Sequence, residues 1–155
     1  LCAILKAAPG LRGILFDLDH VVAGAVPRIE RLGLKSRCQT VAGDFFAKVP
    51  AGGDAYIMKH IIHDWDDERA RTILKNVRVA IEGKPNGRVI LIESVLEPGN
   101  APDLGKLIDI EMLMMTGGRE RTADEFAALF AASGFEMTRV VRTESPLSVV
   151  EARPR

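Results

Sequence analysis

The chain has 155 residues, 47% of them hydrophobic and 27% charged, and its formal net charge at pH 7 is zero. This composition is typical of a globular protein, and we predict one domain over residues 1–155. Zero net charge argues against nucleic acid or an anionic membrane as partner, and no apolar run approaches the roughly 18 residues of a membrane span. The two cysteines, Cys2 and Cys38, do not make a disulfide framework, which favours a reduced, cytoplasmic setting.

The chain opens LCAILKAAPGLRG, with no initiator methionine and no targeting pattern. Ala3, Ile4 and Ala7 indicate the apolar side of a short helix that ends at Pro9-Gly10. We therefore expect that the chain starts inside a domain, after at least one missing element.

Strands and helices then alternate as far as residue 62. GILFDL (13–18) predicts a strand, and AVPRIERLG (25–33) predicts a helix with Pro27 near its start and Gly33 at its end. CQTVAGD (38–44) and DAYIMKHII (54–62) predict two further strands.

The second half continues the alternation. A helix from Asp66 to about Glu82 has one apolar face, and RVILIESVL (88–96), apolar on both faces, predicts a central parallel strand. LGKLIDIEMLMMTGG (104–118) predicts a helix, and Thr122 with Glu125 forms a capping box for the next one, which ends at Gly134. FEMTRVVRT (135–143) and LSVVEAR (147–153) predict an antiparallel hairpin.

This alternation predicts an α/β fold with a mostly parallel sheet, flanking helices and a carboxyl-terminal antiparallel hairpin. Ligands of such sheets gather at the carboxyl ends of the strands. Titratable residues follow or lie within four successive predicted strands, namely Asp17, Asp44, His63-Asp64 and Glu93. We expect them at one edge of the sheet.

The stretch DLDHV (17–21) resembles the nucleophile motif of haloacid-dehalogenase-type phosphatases, with Asp17 as nucleophile and Asp19 as acid/base. Such an enzyme also needs a Ser or Thr after a second strand, where this chain has Gly43-Asp44. Its later acidic pair would be Asp66-Asp67, although acids are common at a helix start. The phosphatase stays an alternative hypothesis.

Two other stretches suggest a nucleoside site and a base. In GDFF (43–46), the Asp44 carboxylate suits the exocyclic amine of a purine, although two phenylalanines in such a stretch are more often part of a core than the wall of a cofactor site. In MKHIIHDWDDERA (58–70), strand alternation predicts that His60 and His63 face opposite ways, so we predict no metal site. We expect a partly buried structural role for His60, whereas His63 is a candidate general base.

The order FDLDHV, GDFF, MKHIIHDWDDERA, ILIESVL and GGRERTADEFAALFAASGF resembles the carboxyl-terminal half of S-adenosylmethionine-dependent O-methyltransferases. The similar enzymes are of the caffeate/flavonoid and bacterial polyketide/hydroxyneurosporene types, and the resemblance covers nearly all of the chain. It implies a Rossmann-like sheet without its first strand and glycine-rich loop. It also implies S-adenosyl-L-methionine as cofactor, a small hydroxylated acceptor, phenolic or polyketide-like, and a homodimer of the full-length protein.

The resemblance also implies cofactor-binding roles. Asp17 matches the acid that binds the ribose hydroxyls, and Asp44 matches the acid at the adenine amine. Phe45 matches the residue beside the adenine ring, and Lys59 matches a lysine that contacts the cofactor. The family usually has Pro where this chain has Asp19, and we expect Asp19 at the turn, near the cofactor or in solvent.

The roles implied for the second half are catalytic and substrate-binding. His63 matches the general base, and Glu93 and Glu120 match the two acids that flank and orient it. Met112 and Met115 match positions that line the acceptor pocket, although a Met-rich helix is also compatible with a core.

A non-catalytic alternative also remains. If the chain lacks its first strand, an exposed sheet edge and apolar surface would favour self-association of a methyltransferase remnant. In that case we expect the isolated chain to bind S-adenosylmethionine weakly or not at all.

Overall fold

Two β-sheets organise the chain, one in each of two units. The computed structural model describes all 155 residues, Leu1–Arg155, and divides them into unit 1, Leu1–Pro50, and unit 2, Ala51–Arg155. The predicted α/β class is confirmed, whereas a single domain over residues 1–155 stays a prediction. None of the helices combines the length and the apolar character that crossing a membrane requires.

Unit 1 contains a two-stranded parallel sheet. Its elements are α1 (Cys2–Ala7), β1 (Gly13–Asp17), α2 (Asp19–Arg31) and β2 (Cys38–Ala42). The strands pair with Gly13 opposite Cys38 and Asp17 opposite Ala42, so the carboxyl ends of both strands lie at the same edge. A small core of buried side chains holds the unit together, consisting of Leu5, Ile29, Leu34 and Cys38.

Two details of unit 1 differ from the sequence prediction. Helix α2 begins at Asp19, so Pro27 lies inside the helix and not near its start. Val22 and Ile29, seven residues apart, are both buried, and this shared face stabilises the helix across the lost proline hydrogen bond. In α1 the buried side chain is Leu5, whereas the predicted apolar side at Ala3, Ile4 and Ala7 is exposed.

Unit 2 contains a five-stranded mixed sheet. Its elements are β3 (Ala55–Lys59), a 3-10 turn (Ile62–Asp64), α3 (Asp67–Ala80), β4 (Arg88–Leu96), α4 (Leu104–Met115), β5 (Arg121–Thr122), α5 (Ala123–Ala132), β6 (Phe135–Arg142) and β7 (Leu147–Pro154). The strand order is β3-β4-β7-β6, and β5 pairs with the end of β4. Strand β4 is parallel to β3 and β5 but antiparallel to β7.

The sequence predictions for unit 2 hold for most elements. The hairpin of β6 and β7 is confirmed, and so is the capping box in which Thr122 and Glu125 bond to each other's backbone N–H groups. Strand β4 is central, as predicted, but only one of its long neighbours is parallel. Strand β5 was not predicted, because a strand of two residues has no periodicity to detect.

Candidate active site

His63 lies on the 3-10 turn that follows β3, and a buried glutamate supports that turn. Glu93, in the middle of β4, is fully buried, and its Oε1 accepts hydrogen bonds from the backbone N–H groups of Ile61 (3.1 Å) and Ile62 (3.0 Å). These N–H groups belong to the first residues of the turn, where a helical segment lacks internal acceptors. The sheet therefore sets the position of His63 through Glu93.

The His63 ring is buried between carboxylates. Its Nδ1 lies 2.7 Å from Glu120 Oε1 and 4.0 Å from Glu93 Oε2. Its Nε2 lies 3.5 Å from Oδ1 of Asp64. Only 7% of His63 and 2% of Glu120 are exposed. When Nδ1–H donates to Glu120, Nε2 is the ring nitrogen that accepts a proton.

Burial and charge shift the ionisation of this cluster. Burial raises the pKa of Glu93 to about 7, against the opposing effects of the His63 charge and the two backbone N–H groups. Burial by itself lowers the pKa of His63, but the hydrogen bond to Glu120 and the negative charges of Glu93, Glu120 and Asp64 raise it overall. Oε2 of Glu93 and Oε2 of Glu120 are buried without hydrogen-bond partners. The cluster is therefore built to hold a proton near neutral pH.

The sequence argument about the two histidines was wrong in its geometry. His60 and His63 do not face opposite ways, because their rings meet edge to face with centroids 4.8 Å apart. His60 adopts a left-handed backbone conformation (φ 53°), which breaks the alternation of the strand. His60 is also exposed and not partly buried as predicted.

The cluster also bears on the metal prediction. The ligand atoms of His63, Glu93 and Glu120 lie within 4.8 Å of one another, a group that could hold a cation. Sequence spacing did not reveal this group, because one glutamate lies in β4 and the other immediately precedes β5. The short contact between Nδ1 and Glu120 is a hydrogen-bond geometry, and the absence of a metal stays a prediction.

The segment before β5 packs directly on the His63 turn. The Arg119 N–H donates to the carbonyl oxygen of His63 (2.9 Å), and the Glu120 N–H donates to Oδ1 of Asp109 on α4 (2.8 Å). A Cβ on Gly118 would lie 2.1 Å from the His63 carbonyl oxygen. Sequence reasoning missed Gly118 and Asp109, although the paired glycines of GGRER indicate a close backbone approach.

In unit 1, Asp17 is the last residue of β1, and Asp44 follows the adjacent parallel strand β2. The Gly43 N–H donates to the Asp17 carbonyl oxygen (3.0 Å), so the two strand ends are tied together. Each carboxylate accepts one local hydrogen bond, Asp17 from the Leu18 N–H and Asp44 from the Phe46 N–H, both at 2.8 Å. The predicted pair therefore lies at one edge of the unit 1 sheet.

A cavity of about 380 Å³ opens beside Asp44. Its walls are largely apolar and are formed by Phe16, Val41, Ala42, Gly43, Asp44, Ala47, Lys48 and Pro50. The Phe16 ring lies so close to Gly43 that a Cβ there would be 2.6 Å from it. The volume of the cavity lies in the range of small-ligand pockets, and Asp44 supplies the one carboxylate of the lining. Phe16 lines this cavity, whereas Phe45 packs edge to face against Phe46.

The remaining predicted residues lie elsewhere. Lys59 is exposed at the end of β3, Met112 on α4 is half-buried, and Met115 is 72% exposed. The acidic pair required by the phosphatase hypothesis is already engaged, since Asp66 caps α3 and Asp67 binds Arg121. Asp19 is exposed to solvent as the first residue of α2.

In unit 1 the α/β fold brings polar side chains to the carboxyl ends of parallel strands, as nucleotide-binding α/β folds do. The family model described as the O-methyltransferase domain matches residues 1–136. The chain therefore belongs to this O-methyltransferase family, and the predicted resemblance is confirmed.

Individual relatives agree with the family. The chain is 51% identical over 154 residues to the phenazine O-methyltransferase PhzM of Lysobacter antibioticus, covering 99% of this chain and 45% of that protein. The crystal structure of LaPhzM superposes with a TM-score of 0.94 at 51% identity, over 99% of this chain and 46% of that one. The O-methyltransferase NcsB1 of neocarzinostatin biosynthesis, solved with S-adenosylmethionine and 2-hydroxy-5-methyl naphthoic acid, gives a TM-score of 0.88 at 33% identity, over 99% of this chain and 44% of that one. The chain thus spans about half the length of these relatives.

Proposed function

We propose that this protein transfers a methyl group from S-adenosylmethionine to a hydroxyl group of an aromatic acceptor, with His63 as the general base. Family membership supports the reaction class, and the relative that acts on a phenazine and the one that binds a hydroxynaphthoic acid support an aromatic acceptor. The observation that carries the proposal is the buried 2.7 Å contact between His63 and Glu120.

The chemistry requires a base with the properties of His63. The sulfonium cofactor supplies an activated methyl group, so the protein has only to position an oxygen and accept its proton. A phenol has an unperturbed pKa of about 10, and a neutral imidazole is a competent base for it. Nε2 of His63 accepts the proton, and the imidazolium that forms is stabilised by Glu120 and by the charge of Glu93. A base of this kind contributes on the order of 10²–10⁴-fold to the rate.

Unit 1 supplies the proposed nucleoside-binding groups. Asp44 has one carboxylate oxygen on the Phe46 N–H and presents the other to the exocyclic amine of adenine, while Asp17 accepts from the ribose hydroxyls. The cavity that Phe16 and Gly43 line takes the base. Phe45 and Lys59 as further cofactor contacts, and Met112 and Met115 as acceptor contacts, are part of the same proposal.

Substitutions of His63 and of Asp44 test the role in catalysis and the role in cofactor binding separately. We expect His63→Gln to lower turnover of a phenolic acceptor at least 100-fold and to leave the calorimetric affinity for S-adenosylmethionine unchanged. We expect Asp44→Ala to weaken cofactor binding instead. His20→Gln, on the exposed surface of α2, is the matched control and should match the parent. Methylated product is measured by mass spectrometry, and comparable turnover of His63→Gln and parent would remove His63 from the base role.

A second candidate function is association through the apolar face of α4. Six large apolar residues of this helix are at least half exposed, namely Leu104, Leu107, Ile110, Leu113, Met114 and Met115. Large apolar side chains exposed on one helix are typical of an interaction site, which supports a homodimer or a purely associative role. Concentration-dependent oligomers in light scattering, with no thermal-shift response to S-adenosylmethionine, would favour the associative role over catalysis.

A further inference from the structure

Arg121 is one of the largest fully buried side chains, with 1% of its surface exposed. A buried guanidinium is costly unless each of its five N–H groups has an acceptor. Arg121 meets this condition with five contacts. Nε and Nη2 donate to Oδ1 of Asp67 at 3.0 and 2.8 Å, and Nη2 also donates to the carbonyl oxygen of Trp65 at 2.9 Å. Nη1 donates to the carbonyl oxygens of Ile62 and Arg119, both at 3.2 Å.

These acceptors lie on both sides of the catalytic pair. Ile62 precedes His63, and Trp65 ends the 3-10 turn that carries it. Arg119 immediately precedes Glu120, and Arg121 immediately follows it. One rigid, planar group therefore joins the backbone of the His63 turn to the backbone that carries Glu120. The separation between the imidazole and its carboxylate depends on that joint.

The counter-ion of Arg121 anchors the same arrangement to a helix. Asp67 is the first residue of α3, and a hydrogen bond from Arg121 lowers its pKa, so the carboxylate is ionised at neutral pH. Its side chain is about half exposed, and the Arg121 side chain is not. Substitution of Asp67 should therefore disturb the fold less than substitution of Arg121.

We propose that Arg121 is a positioning residue for the base, acting through the carbonyl groups of Ile62, Trp65 and Arg119 to keep His63 and Glu120 in hydrogen-bond contact. This inference rests on the proposed role of His63. A lysine cannot replace Arg121 in this role. Its three N–H donors share a single nitrogen atom, which cannot reach the acceptors on both sides of the site at once.

The test compares Arg121→Lys with Arg78→Lys in the full-length protein. Arg78 also donates to two carbonyl oxygens in unit 2, those of Gly134 and Arg155, so it controls for the loss of arginine–carbonyl hydrogen bonds that do not involve the His63 turn. We expect Arg121→Lys to lower kcat on the order of 10- to 100-fold with an unchanged KM for S-adenosylmethionine, as a misplacement of about 1 Å does. Arg78→Lys should retain the parental kcat.

The pH profile separates positioning from a merely structural role. Glu120, Glu93 and Asp64 raise the pKa of His63, and the hydrogen bond to Glu120 is the largest of these effects. The His60 ring also faces the His63 ring. When Arg121→Lys loosens that bond, the acid limb of the kcat/KM profile should move to lower pH. A loss of thermal stability with kcat and acid limb both unchanged would overturn the inference.

Two further outcomes keep the inference distinguishable from the proposed function. If His63→Gln retains turnover, both the base and its positioning residue are wrong. If His63→Gln is inactive and Arg121→Lys matches the parent, only the positioning role is wrong. Should Arg121→Lys fail to fold, Asp67→Ala removes two of the five acceptor contacts. Without its counter-ion the buried guanidinium should withdraw from the three carbonyl oxygens, so kcat should fall several-fold, and a parental kcat would overturn the inference.

Discussion

Gly118 is the position where the smallest possible substitution should have the largest effect on the site. Gly118 is buried, and a Cβ added there would lie 2.1 Å from the His63 carbonyl oxygen, 2.4 Å from the Asp64 carbonyl carbon and 2.7 Å from its oxygen. All three are backbone atoms, so no side-chain rotation can relieve the overlap. We expect Gly118→Ala to push the His63 turn and the Glu120 segment apart.

The size of the effect follows from these distances. Carbon and oxygen atoms in ordinary contact are about 3.5 Å apart, so the backbone must move by about 1 Å or more. A shift of that size in a catalytic group can cost about 100-fold in rate, and an overpacked core loses about 1–3 kcal/mol of stability. The hydrogen bond from Arg119 to the His63 carbonyl oxygen (2.9 Å) is lost in the same movement.

The matched control is Gly24→Ala. Gly24 lies in α2, and a Cβ there would have no heavy atom within 4 Å. Replacing a helix-interior glycine by alanine should raise stability by up to about 1 kcal/mol and leave kcat unchanged. Turnover of a phenolic acceptor and chemical unfolding are measured for both variants. A parental kcat in Gly118→Ala would show that the His63 turn tolerates displacement and would refute this reasoning.

Two further predictions concern stability in unit 2. The pKa of Glu93 rises from 4.5 to about 7 in the folded protein, so its contribution to stability is full below pH 4.5 and falls by about 3 kcal/mol as the pH rises through 7. Glu93→Gln should remove this pH dependence. The free energy of unfolding is measured in urea at pH 5 and at pH 8, and an equal decrease between these pH values in parent and variant would contradict the prediction. Thr122→Ala removes the capping box of α5 and should lower the free energy of unfolding by about 1 kcal/mol. Thr72→Ala, whose exposed hydroxyl only bonds the Glu68 carbonyl, is the near-neutral control, and equal losses in both variants would argue against a special role for the cap.

Sequence patterns predicted the elements whose signals are local. The Thr122–Glu125 capping box, the apolar run of β4 and the closing hairpin each depend on residues within one turn or one strand pair. The start of α2 was misplaced because proline is a strong local signal, and packing of Val22 and Ile29 outweighed it. The residue types of the cluster of His63, Glu93 and Glu120 could also be predicted, because whole motifs of the chain resemble those of the family.

The sequence by itself determined the α/β alternation, the family and the residue types of the site. The tertiary structure alone decided that Glu120, 57 residues from His63 in the chain, lies 2.7 Å from Nδ1 of His63. It also decided that Arg121 donates hydrogen bonds to the backbone carbonyl groups of Ile62 and Arg119, next to these two residues. Local periodicity encodes which face of an element is apolar, but not which distant backbone atoms will approach it. Those contacts arise only when packed strands and turns leave buried polar groups that must find partners.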